Sequence, residues 1–143
     1  MAISDKDGQL LSLLGDNARM PVATLARELG LSRTTVQARI EKLERDGVIA
    51  GYSVRLSDSY ESGLVKAHVL ITIMPKSLPR VSAELSAIRE IRTLHSINGS
   101  FDLIAIIAAH SISELDRLID RIGELEGVER TLSSIILSTR ISR

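Results

Sequence analysis

Arg33, Arg39, Lys42 and Arg45 fall in one short segment, 32–45, that holds only two anions, Glu41 and Glu44. The whole chain of 143 residues balances 18 Lys and Arg against 18 Asp and Glu, so the excess is local. Cations along one helix can meet phosphates, and short residues between them let its backbone approach base edges. Other chemistry is harder to find. His68, His95 and His110 lie far apart and the chain has no cysteine, so no metal site is expected. There is no glycine-rich phosphate loop and no nucleophile elbow. No catalytic residue and no cofactor are therefore expected. With Tyr52, Tyr60 and Phe101 as its only aromatics, the chain is also a poor stacking platform for single-stranded nucleic acid.

The elements that must position those cations follow from periodicity. Leu10, Leu11 and Leu14 recur at helical spacing behind Asp5 and Asp7. Val22, Leu25, Ala26 and Leu29 predict a second, shorter helix that stops at Gly30. Ser32 suits the N-cap of a third helix, in which Val36, Ile40 and Leu43 form the apolar stripe. Two helices joined by Leu29-Gly30-Leu31-Ser32 fit a helix-turn-helix whose second helix reads duplex DNA. Turning the stripe inward leaves Thr34, Thr35, Ala38 and Lys42 outward, with Arg33 and Arg39 on the flanks. The expected DNA-binding set is Ser32, Arg33, Thr34, Thr35, Gln37, Ala38, Arg39 and Lys42. The bland alternative is a solvated helix with ion pairs such as Glu41–Arg45.

Val48 to Leu56 reads as a strand, followed by a polar hinge near 57–63. Beyond it the period becomes two: Val65, Ala67, Val69, Ile71 and Ile73 alternate. A helix is expected over 77–90, with Pro79 in its first turn. Strands follow at 91–97 and 102–109, joined by the turn Asn98-Gly99-Ser100. A helix carrying Ile112, Leu115, Leu118, Ile119, Ile122 and Leu125 comes next, and a closing strand is expected over 128–141. The order β-α-β-β-α-β predicts a ferredoxin-like split βαβ sandwich, so the chain is α+β, with a winged-helix-like helix-turn-helix domain in front. The expected division is 1–50 for the helical domain, 51–63 for strand and hinge, and 64–143 for the sheet domain. "LIAIIAA" (103–109) is apolar on both faces, and helices can cover only one of them. A second copy of the chain is the economical cover for the other, although periodicity leaves open which face that is.

The stretch "LARELGLSRTTVQARIEKLERDGVIAGY" (25–52) resembles the Lrp/AsnC family of transcription regulators. "NGSFDL" (98–103) is similar to that family's Gly-x-Tyr-Asp turn, and "GVERTLSSIIL" (127–137) to its closing strand. The resemblance implies a cytoplasmic, nucleoid-associated regulator of double-stranded DNA. It implies a homodimer that assembles into tetramers or octamers and responds to a small molecule, usually an amino acid. It also implies an effector site around Gly99, Ser100, Asp102 and Ser133, where a glycine turn offers backbone N–H groups to a carboxylate and Asp102 accepts from an ammonium. Read from the residues alone, Asn98-Gly99 is a hairpin turn that Asp102 caps. Phe101 replaces the family's usual Tyr and Ser133 its frequent Thr, which leaves the effector's identity open.

Two rival readings remain. One is a chromosome-organising protein with no effector. The other is an enzyme like the sirohaem decarboxylases, which would need cations around a carboxylate-rich tetrapyrrole rather than on a reading helix. No apolar run approaches the roughly 20 residues of a bilayer span. Residues 1–7 lack a basic segment followed by an apolar one, so the expected location is the cytoplasm, with no membrane partner.

Overall fold

The computed structural model describes residues 2–61 and 63–142, and they form two compact units that meet between Arg55 and Leu56. The first unit holds α1 (Asp5–Asp16), α2 (Val22–Leu29) and α3 (Arg33–Arg45). Ser4 caps α1 by accepting from the Asp7 amide at 3.2 Å. Gly30 ends α2 with φ +66°, a left-handed conformation open to glycine, and the Leu31 amide folds back onto the Ala26 carbonyl. Ser32 restarts the chain as the N-cap of α3, accepting from the Thr35 amide at 3.1 Å. Leu10, Leu14, Leu25, Leu29, Val36 and Leu43 are buried together, which holds the three helices as one body.

The second unit begins with a short helix, α4 (Asp58–Glu61), inside the expected hinge. Ser62 of that hinge lies outside the described residues. Then come β1 (Val65–Ile73), α5 (Leu78–Ser86), β2 (Ile91–Ser96), β3 (Leu103–Ala109), α6 (Ile112–Gly123) and β4 (Val128–Ile136). The sheet order is β2-β3-β1-β4, and all neighbours are antiparallel. This is the expected βαββαβ sandwich. Val81 and Leu85 of α5 and Leu115 and Ile122 of α6 bury against Ala67, Val69 and Ile71 of β1 and Leu103, Ala105 and Ile107 of β3.

Register resolves the question that periodicity left open. Leu103 and Ile107 belong to the helix-covered face, at 2% and 0% exposure. Ile104 and Ile106, paired with Leu70 and His68, point to the opposite face. That face is bare: Leu70, Ile104 and Ile106 are only half-buried, and Leu132 is 55% exposed.

Three expected elements differ. The strand over 48–56 does not form. Val48 and Ile49 pack on the helical core, whereas Tyr52 and Val54 stand 54% and 82% exposed in chain without regular secondary structure. A strand exists only with a neighbouring backbone to bond, and none of the described segments pairs with this one. The closing strand stops at Ile136 rather than Ile141, because its register partner there is Lys66, one residue from the start of β1. The helix expected over 77–90 ends at Ser86, and Ile88 is buried from the turn that follows.

Leu103→Asp or Ile107→Asp puts an unpaired carboxylate into the core and should cost several kcal/mol, abolishing a cooperative melt. Ile104→Asp and Ile106→Asp should still melt cooperatively, by circular dichroism, because their side chains do not enter that core. Equal loss of folding from both pairs would defeat the assignment of faces.

Candidate DNA-reading helix and effector turn

The outward face of α3 is built by what its inward face uses. With Val36 and Leu43 buried and Ile40 half-buried, the 3.6-residue period turns Thr34, Ala38, Glu41 and Arg45 directly away from the core. Two shallow recesses flank this line. One is lined by Ser4, Asp7, Thr35, Arg39 and Lys42, the other by Val22, Arg33, Gln37 and Glu41. Thr34 and Ala38 line both, so the N-terminal part of the line, where the two recesses meet, carries short side chains. A helix with a low crest and cations on its shoulders can enter a major groove.

The expected contact residues are not equivalent. Ser32 is occupied as the cap, with its hydroxyl also 2.7 Å from that of Thr35. Gln37 donates from Nε2 to Glu41 Oε1 at 3.2 Å, and its amide oxygen has no hydrogen bond among the described residues. Lys42 pairs with Asp46 at 3.0 Å, but both side chains are exposed, and such a pair is worth little. Arg39 differs most. Its guanidinium donates to Asp7 Oδ1 at 3.0 Å and to Ser4 Oγ at 3.3 Å, and its Nε is buried with no partner among the described residues. In the free protein Arg39 braces α3 against the start of α1. Glu41 and Arg45 were missed as outward residues. Their positions on the helical wheel carried that signal, whereas the Asp7–Arg39 contact joins two helices and left no mark in the sequence.

The expected effector residues separate into two places. Gly99, with φ +108°, and exposed Ser100 lie in the turn between β2 and β3. Asp102 closes that turn: its amide donates to the Ile71 carbonyl at 2.9 Å, its carbonyl accepts from the Ile97 amide at 3.0 Å, and its Oδ2 accepts from the Ile73 amide at 2.7 Å. The turn is closed through the Asp102 backbone, whereas the carboxylate spends one oxygen on tying Asp102 to β1 at Ile73. Ser133 is elsewhere. It pairs with Val69, whose side chain is in the helix-covered core, so Ser133 shares that face on the edge strand β4. A single chain does not bring it to the turn. Among the described residues no cluster of His, Asp and Glu is arranged to hold a metal ion, and no helix is long and apolar enough to cross a membrane.

Residues 3–44 match the family profile described as an AsnC-type helix-turn-helix domain, and residues 66–143 match the Lrp/AsnC ligand binding domain. The transcriptional regulator LrpA of Mycobacterium tuberculosis is 34% identical over 96% of this chain and 92% of its own. The transcriptional regulator LysM of Saccharolobus solfataricus is 31% identical over 96% and 95%. The structure of Escherichia coli AsnC superposes with a TM-score of 0.88 at 27% identity, covering 100% of this chain and 97% of that one.

The Ser4 hydroxyl, and after it the Arg39 guanidinium, hold the Asp7 carboxyl below its ordinary value of 3.8. A depressed pKa contributes stability that is fully present above the unfolded value and lost as pH falls through the folded one. Asp7→Asn should therefore lower the denaturant midpoint by a constant amount near neutral pH. The difference from wild type should close as pH drops from 3.8 through the depressed value. A difference that persists unchanged at the acid end would rule out the ion pair as its source.

Proposed function

The chain belongs to the Lrp/AsnC family of transcriptional regulators, and on that premise we propose that it is a sequence-preferring duplex-DNA binder that works as a homodimer tuned by an amino acid. The observation that carries the DNA reading is the low crest of α3, Thr34 and Ala38, between shoulders that hold Arg33 and Lys42. Lys42, Arg33 and Arg45 are the phosphate contacts, and Thr34, Thr35, Ala38 and Gln37 face the bases. Arg39 acts by bracing α3. The division of labour follows the chain: residues 1–50 bind DNA, 51–63 link, and 64–143 assemble and hold the effector. DNA as partner puts the protein in the cytoplasm with the nucleoid.

The bare face of the sheet is what a second copy covers, sheet against sheet, and segment 50–57 pairs with its counterpart in that copy. Its exposed, alternating Tyr52, Val54 and Leu56 support this. Tetramers or octamers of such dimers are the further assembly. The effector site is centred on Gly99, Ser100 and Asp102, and Ser133 enters it from a neighbouring copy. A relative of known structure from M. tuberculosis, 34% identical to this chain, is called a leucine response regulatory protein, which supports an amino acid as the effector class. The ligand must prefer one assembly over another, since equal affinity for both shifts nothing.

Two measurements test this. In binding to duplex DNA across a salt series, Lys42→Ala should weaken all sequences and lower the slope of log affinity against log salt by about one. Arg39→Ala should weaken binding while leaving that slope unchanged, and Thr34 substitutions should change which sequences are preferred. Unaltered affinity in Arg33→Ala/Lys42→Ala would remove α3 from the interface. In sedimentation, wild type should be dimeric or larger and Ile104→Asp/Ile106→Asp should be a folded monomer. A monomeric wild type at micromolar concentration would defeat the assembly.

A further inference from the structure

The far end of the bare face carries opposite charges in one cross-strand row. Thr72 of β1 pairs with Arg130 of β4. On its other side, Asp102 bonds Ile71 through its amide and Ile73 through Oδ2, so it brackets Thr72 from the β3 side. Two strand spacings separate the backbones of Asp102 and Arg130, roughly 10 Å. Between them Thr72 Oγ1 is buried with no hydrogen-bond partner among the described residues. The Arg130 guanidinium lies over the Phe101 ring, 5.0 Å from its centroid, and joins no salt bridge among the described residues.

Each of these groups is short of something. A hydroxyl shut away from water without a partner is costly and calls for an explanation. A guanidinium held over a ring face is localised without using up its N–H donors, and two of those donors can grip a carboxylate. Asp102 has spent one oxygen on the Ile73 amide and has the other to offer. Cation, hydroxyl donor and anion in a row are complementary to a small zwitterion, and the length of the Arg130 side chain narrows the gap to its size.

We infer that Arg130 is the carboxylate anchor of the effector site, with the Thr72 hydroxyl beside it and Asp102 receiving the ammonium of an α-amino acid. This rests on the amino-acid reading above and adds the residue that reading lacked: the turn supplied only backbone N–H groups for the carboxylate. The competing account is that Arg130 merely tethers Phe101 and steadies the turn.

Calorimetry on the full chain separates them. Each of the twenty standard L-amino acids is titrated, and any that binds is compared with its 2-oxo acid, which lacks the ammonium, and its decarboxylated amine. Arg130→Gln should weaken the amino acid and the oxo acid roughly 10- to 100-fold, the worth of charged hydrogen bonds. It should leave the amine and the melting temperature unchanged, and Arg130→Lys should recover part of the loss. Asp102→Asn retains an acceptor for the Ile73 amide and should weaken the amino acid and the amine but not the oxo acid. If Arg130→Gln binds the amino acid as wild type does, or loses all three ligands alike with a lowered melt, the anchor is overturned and the effector reading stands. If no amino acid binds wild type, the effector reading falls and takes the anchor with it.

Discussion

Strand β1 organises the second unit because β3 and β4 pair with it antiparallel along most of its length, one on each side. Its strict alternation sorts residues onto two faces, and pairing carries the sorting across to β3 and β4. Ala67, Val69 and Ile71 bring α5 and α6 onto one side. His68, Leu70 and Thr72 look out on the other. The proposed effector turn hangs from the same strand, through the bonds of Asp102 to Ile71 and Ile73. A ligand that pulls on Asp102 therefore acts at the end of the element whose open face is the proposed dimer surface. In the proposed function, assembly and ligand binding thus share a mechanical part without any long pathway between them.

In the helical unit the corresponding constraint is the turn between α2 and α3. Gly30 in its left-handed conformation and the Ser32 cap set where α3 starts, and the buried Leu25, Leu29 and Val36 set its rotation. Everything the outward face offers follows from that rotation. The Asp7–Arg39 pair adds a second point of attachment near the middle of α3. It withdraws one cation from the proposed phosphate-facing set and makes it part of the support.

Much of this was legible because it is local. Helical spacing of leucines, a glycine stop and a serine cap are read within a few residues, and so the three N-terminal helices stand where periodicity put them. The βαββαβ order was legible for the same reason. The strand over 48–56 was not: its alternating apolar residues are real, but a strand also needs a partner, and within one chain there is none among the described segments. The closing strand was overextended because its length is limited by β1, not by its own composition. For the proposed effector site, the turn at 98–103 was legible as a motif, while register put Ser133 on the helix-covered face and Thr72 beside Arg130 on the bare one.

By itself the sequence determined the type and order of the elements, the two-sided apolar character of β3, and the cationic stretch at 32–45. These depend on propensity, capping and period, which act over one or two turns of chain. Tertiary structure alone decided which face of β3 is core, since a run apolar on both sides has no phase until a neighbour supplies the register. It also decided that Arg39 is bound while Arg33 and Arg45 have no ion pair among the described residues. And it set Asp102 and Arg130 on either side of Thr72, because cross-strand neighbours are chosen by hydrogen-bond register, which residue spacing does not encode.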